Sequence, residues 1–223
     1  ASLSQKDSDQ LLESMAGVLP REILDAVWNM AAGNPFVSSA VLRGLVEGRV
    51  LTAKDNGWDV DENELRNLQT SGEAAEVLKQ RLVRLPAESR HLLAVGAVLG
   101  KEFSTETVAK LSGLSYETAI EQLESPRDHY LIWEKADGVC HFVHDQIRDA
   151  VLETLSKDEL AEIHLAAAEY IATTAPQSHY EIACHFDAAG DPKRALPAAL
   201  QAARSALRRH ALGIATQQYE IAL

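Results

Sequence analysis

Six alanines near the C-terminus, Ala195, Ala198, Ala199, Ala202, Ala203 and Ala206, recur three and four residues apart. On an α-helix they share one face. A face of such small side chains lets a second helix axis come unusually close. The alanines follow Gly190-Asp191-Pro192, where an N-cap acid precedes a proline at the first helical position. Just upstream, His179 to Ala189 has the length of one helix and Gly190 closes it. Ser156-Lys157-Asp158-Glu159 is a capping box that opens another. Residues 156–223 are therefore expected to be all helix. Gly190-Asp191-Pro192 with Arg194-Ala195-Leu196 has the look of the inner turn of a tetratricopeptide-like helix pair. Residues 211–223 would open the next unit and leave the array truncated.

The region before it reads differently. Glu73 to Leu85 is amphipathic, with Ala74, Val77, Leu78 and Leu82 on one side. Pro86 opens an apolar helix holding Leu92, Leu93, Val95, Ala97 and Val98. Ser104 and Ser115 are N-caps for two shorter helices, carrying Val108 and Leu111, then Ala119, Ile120 and Leu123. Tyr130 to Trp133 and Cys140 to Val143 are strand-like, and Asp137-Gly138 lies in the turn between them. Helix resumes at Asp145. Helices followed by a hairpin give the order of a winged helix over 71–155. In residues 1–70, Pro20 starts a helix with Ile23, Leu24, Val27 and Met30 inside, and Gly33-Asn34-Pro35 ends it. A second helix buries Phe36, Ala40, Leu42 and Val46, and a small hairpin turns at Asp55-Asn56-Gly57. The fold class expected is mainly α: a helical lid (1–70), a winged helix with a small β-hairpin (71–155), and tetratricopeptide-like pairs (156–223).

The chemistry-bearing candidates are few. Gly96-Ala97-Val98-Leu99-Gly100-Lys101-Glu102 is a poor phosphate loop, because its glycines are too close and Glu102 replaces the magnesium-holding Ser or Thr. Cys140, His141 and His144 match no standard zinc spacing, and on a strand Cys140 and His141 face opposite ways. Cys184 and His185, with His179, read as a partly buried cysteine beside surface or interface histidines. No catalytic residues and no metal ligands are expected. The two cysteines stand far apart, as suits a reducing compartment. No apolar run reaches the roughly 18–20 residues of a membrane span, so a cytoplasmic location is expected.

Nucleic acid is disfavoured as a partner. The chain holds 33 acids against 21 lysines and arginines, for a formal charge of −12. The acids fall where a winged helix would have to read DNA: Glu117, Glu121, Glu124, Asp128 and Glu134 are opposed only by Arg127. The basic residues Lys193, Arg194, Arg204, Arg208 and Arg209 form one stretch that could meet an acidic partner, although a solvated helical face is the commoner explanation.

Two segments carry a resemblance. Gly33-Asn34-Pro35-Phe36, followed by Val41-Leu42-Arg43-Gly44-Leu45, resembles the Gly-x-Pro segment of STAND-type signalling ATPases. These nucleotide switches are related to apoptotic and plant-immunity ATPases and to the bacterial maltose regulator. Phe142-Val143-His144-Asp145-Gln146-Ile147-Arg148-Asp149-Ala150 resembles their winged-helix His-Asp motif. Arg81 to Pro86 and Ala97 to Phe103 look like the same region of bacterial sensors, whose AAA-like ATPase module is joined to a protein kinase, histidine kinase or cyclase. The resemblance implies that Gly33, Pro35 and His144 contact nucleotide in an intact parent, with Asn34 and Asp145 in support. Pro35 would line the adenine side, His144 would meet the ADP phosphate, and Asp145 would cap the next helix and orient His144.

The chain begins Ala1-Ser2-Leu3 and stops within a helical pattern, so it is expected to be one piece of a larger protein. ADP or ATP with magnesium would be held jointly with a nucleotide-binding core upstream in the same chain, and a protein partner would use the repeats. The expected role is non-catalytic coupling of nucleotide state to a helical-repeat sensor. The alternatives are a transcription regulator with a DNA-contacting winged helix and a plain helical-repeat scaffold.

Overall fold

The computed structural model describes residues 2–222 apart from Asn56, Gly72, Glu73 and Ala136; the side chains of 67–77 are also outside the described set. The fold is mainly α. The chain divides into two compact units, one of residues 1–90 with 144–151 and one of 91–143 with 152–223. This division cuts the chain differently from 1–70, 71–155 and 156–223. Residues 71–90 and 144–151 group with the N-terminal part, because burial is decided by long-range packing that local periodicity does not report.

In the first unit, α1 (Gln5–Ala16), α2 (Arg21–Ala31) and α3 (Pro35–Glu47) precede a hairpin of β1 (Leu51–Lys54) and β2 (Gly57–Val60). Then come α4 (Glu62–Ser71) and α5 (Ala74–Val83). Ser4 caps α1 by accepting from the Asp7 amide. The hairpin pairs Leu51 with Val60 and Lys54 with Gly57. The core joins Leu12, Ile23, Val27, Val41, Leu45 and Leu51 from helices and strand alike. As expected, Ile23, Leu24 and Val27 are buried, but α2 starts at Arg21 with Pro20 as its N-cap. Val46 is exposed rather than buried, because α3 turns Val37, Val41 and Leu45 to the core instead. Of the apolar positions expected on α5, Leu78 and Leu82 are buried, while Ala74 and Val77 lie outside the described side chains.

Among the described residues, an ion pair with a buried guanidinium joins α3 to α5. Arg81 is 2% exposed, and its Nε and Nη2 donate to both carboxylate oxygens of Glu47 at 2.8 and 3.2 Å. This forked geometry is the strong form of the pair.

The helix α6 (Ala87–Leu99) leads into β3 (Glu102–Ser104), α7 (Thr105–Leu111), α8 (Tyr116–Asp128), β4 (Ile132–Glu134) and β5 (Val139–Phe142). The sheet order β3-β5-β4 is antiparallel throughout, with Phe103 opposite Cys140 and Ile132 opposite Phe142. This is the element order of a winged helix. The strand β3 is an addition to the sequence reading. Ser104 and Ser115 cap α7 and α8 as expected. Gly96 is explained here: a Cβ on it would lie 2.7 Å from the Phe103 ring. Its glycine serves helix–aromatic packing, not a phosphate. We expect Gly96→Val to destabilise the protein by about 1–3 kcal/mol, the range for overpacking a filled core, as read from urea midpoints.

The same unit ends in α10 (Lys157–Thr174), α11 (His179–Ala188), α12 (Pro192–Arg208) and α13 (Leu212–Ile221). Both reciprocal bonds of the Ser156/Glu159 capping box are present. The Ser156 hydroxyl, at 2.7 Å, and the Ser156 backbone N–H, at 2.8 Å, both donate to the Glu159 carboxylate and hold it below its usual range. Asp191 caps α12 with Pro192 at its start, as its sequence requires. All six alanines are buried. Ala195, Ala198 and Ala199 pack with Ala168, Ile182, Ala183 and Phe186 in one cluster. The remaining helix, α9 (Asp145–Glu153), turns Ile147, Ala150 and Val151 inward. Among the described residues no helix is long and apolar enough to cross a membrane.

Candidate functional site

The first unit brings Gly33-Asn34-Pro35-Phe36 and His144 together, although they lie far apart in sequence. The Leu3 amide donates to the Gly33 carbonyl at 2.7 Å. Gly33 has φ +76°, and a Cβ there would stand 2.6 Å from the Leu3 carbonyl oxygen. Both conditions demand glycine. Gly33→Ala should therefore cost about 1–3 kcal/mol, the scale of one strained backbone position, seen as a lower denaturation midpoint with an unchanged m-value.

Beyond this turn, Asn34 Oδ1 accepts from the amides of Phe36 at 3.0 Å and Val37 at 3.3 Å. Pro35 opens α3, where its missing N–H costs nothing. The proline ring is exposed. Phe36 packs partly on the core, and its ring lies flat on that of His144, with centroids 4.0 Å apart and planes 9° from parallel.

His144 is half-buried, and its Nδ1 accepts from the Gln146 amide at 3.2 Å. That amide is one of the unpaired donors at the start of α9. The observed cap thus comes from the imidazole of His144, one residue before the expected capping residue, Asp145, which is itself the first residue of α9. A ring nitrogen that accepts an N–H carries no proton, so the neutral ring holds its proton on Nε2. Nε2–H is then the donor left for another group.

The other candidates form no site. Among the described residues no group of three or more His, Cys, Asp or Glu side chains lies together to hold a metal. Cys140 is buried against Thr105 Oγ1 at 3.5 Å, and burial pushes its thiol up. His141 stacks on Trp133 at 4.4 Å, with Glu102 3.4 Å from its Nδ1. On α8, Arg127 pairs with Glu134 at 2.7 Å and donates to the Leu123 and Ile120 carbonyls. The one cation among the acids is therefore already engaged within the fold. On α12, Arg194 pairs with Glu169 and Asp191 and lies over Phe186. Arg194 is exposed, as are Lys193, Arg204, Arg208 and Arg209, and its charge is paired at the surface.

His185 corrects the sequence reading. It is buried at 9% exposure, not on the surface, and its Nδ1 lies 2.8 Å from His164 Nδ1. Burial, helped by the neighbouring His164, lowers its pKa to about 4. A histidine pair between α10 and α11 has no local sequence signal, because helix pairing sets it.

Protein-family models give no match to this chain, and curated protein sequences give none either. Among solved structures it is similar to the signal transduction ATPase with numerous domains (STAND) protein with a tetratricopeptide repeat sensor from Pyrococcus horikoshii. The identity is 16% and the TM-score 0.51, over 98% of this chain. The chain spans 29% of that protein's length. The likeness establishes the fold relationship.

Proposed function

We propose that the chain is a non-catalytic regulatory region of a STAND-type signalling ATPase. It would work with a nucleotide-binding core in the same polypeptide, couple nucleotide state to the helical repeats, and act in the cytoplasm. The observation that carries this reading is the meeting of the Gly-Asn-Pro-Phe turn with His144 in one compact unit.

The residues fit ADP. Pro35 offers an exposed apolar ring to the adenine side, and His144 offers its Nε2–H to a phosphate oxygen. Gly33 and Asn34 fix the turn that presents Pro35. Asp145 starts the helix that follows His144. ATP with magnesium would be bound chiefly by the core, where phosphate loop and metal ligands belong. Exchange of ADP for ATP, or a protein partner on the repeats, would shift the population away from the His144-bound form.

Calorimetry with ADP on the full-length protein tests this reading. A hydrogen bond to a charged phosphate contributes about 1.5–3 kcal/mol. His144→Ala should therefore weaken ADP about 10- to 150-fold and raise basal output. Unchanged ADP affinity would refute the role given to His144.

A further inference from the structure

The stack of Phe36 on His144 has its own consequence. The imidazole is held at two places: at Nδ1 by the Gln146 amide and across one face by the Phe36 ring. Rotation of the imidazole about its Cβ–Cγ bond would exchange Nδ1 for a carbon and lose the amide bond. A ring packed flat at 4.0 Å opposes that rotation. Phe36 is itself fixed from below, since its amide donates to Asn34 Oδ1 and its side chain packs on the core of α2 and α3. The chain of support therefore runs from Gly33 and Asn34 through Phe36 to the imidazole.

We infer that Phe36 is a positioning residue that locks His144 as a neutral imidazole with its proton on Nε2, presenting one N–H donor to an anionic ligand. Neutral His144 can cap α9 and donate to the ligand at once, because the two tasks use different nitrogens. Protonation at Nδ1 would set two donors against each other at the Gln146 amide. Ligand identity in this inference rests on the nucleotide reading; the ring lock itself does not.

Long-range proton–nitrogen correlation spectra of the nitrogen-15-labelled chain report the tautomer directly, and the His144→Ala spectrum assigns its signals. The wild-type ring should show the Nε2–H tautomer alone. Phe36→Leu should give a mixture of both tautomers, and Phe36→Tyr should restore the single form. In the full-length protein Phe36→Leu should also weaken ADP about two- to tenfold, the equivalent of one aromatic pair. An Nδ1–H tautomer in the wild type would overturn the inference even if no variant folds. So would an unchanged single tautomer in folded Phe36→Leu. The two readings fail separately. If His144→Ala leaves ADP affinity unchanged while the tautomer responds to Phe36, the ligand assignment falls and the ring lock stands. If His144→Ala weakens ADP while Phe36→Leu keeps the tautomer, the lock falls and the ligand assignment stands.

Discussion

Lowering the pH from 7.5 to 4.5 should remove about 2–3 kcal/mol of stability through His185 alone. The folded-state pKa of about 4 lies below the roughly 6.5 of an unfolded histidine. The unfolded chain therefore binds the proton first as pH falls. The contribution is whole above about pH 6.5, declines below it, and is lost as pH passes through 4. Geometry gives the same sign: two Nδ1 atoms 2.8 Å apart share one proton, and a second proton turns both into donors. Urea unfolding at several pH values, compared between wild type and His185→Gln, isolates this residue from the carboxylates common to both. The wild-type curve should fall more steeply between pH 6.5 and 4.5. Parallel curves would show that burial does not hold His185 neutral.

Glu47→Ala should cost about 3 kcal/mol, the low end for breaking a buried ion pair. The guanidinium it faces is 2% exposed, so water cannot replace the lost carboxylate. The partner substitution should be milder, because Glu47 is a quarter exposed and can be hydrated. Replacing both groups with apolar side chains, as in Glu47→Leu with Arg81→Met, should recover most of the loss. A double variant as unstable as Glu47→Ala would mean that the site needs the charges themselves.

What the sequence reveals follows the range of the forces involved. The Ser156/Glu159 capping box, the Asn34-Pro35 start of α3 and the six buried alanines are local or periodic, and each is legible in the chain. The helices α1 and α4 carry polar surfaces that mask their single apolar faces, and periodicity does not announce them. The strand β3 has three residues and exists because β5 pairs with it; Gly100 ends α6, but a run of three residues is too short for alternation to announce a strand. The candidate site divides in the same way. Gly33, Asn34 and Pro35 declare a turn and a helix start. The contact of Phe36 with His144, the imidazole cap on α9 and the His164–His185 pair all depend on residues brought together from distant positions.

The central claim is that Pro35 and His144 belong to one nucleotide-contacting surface. Photolabelling of the full-length protein with an azido-adenine analogue of ADP, followed by mass spectrometry of the labelled peptides, tests it most directly. The account predicts labelling within residues 33–43, competed by unmodified ADP and strongly reduced in His144→Ala. Competable labelling elsewhere with none in that segment, or labelling there that is indifferent to His144→Ala, would contradict it.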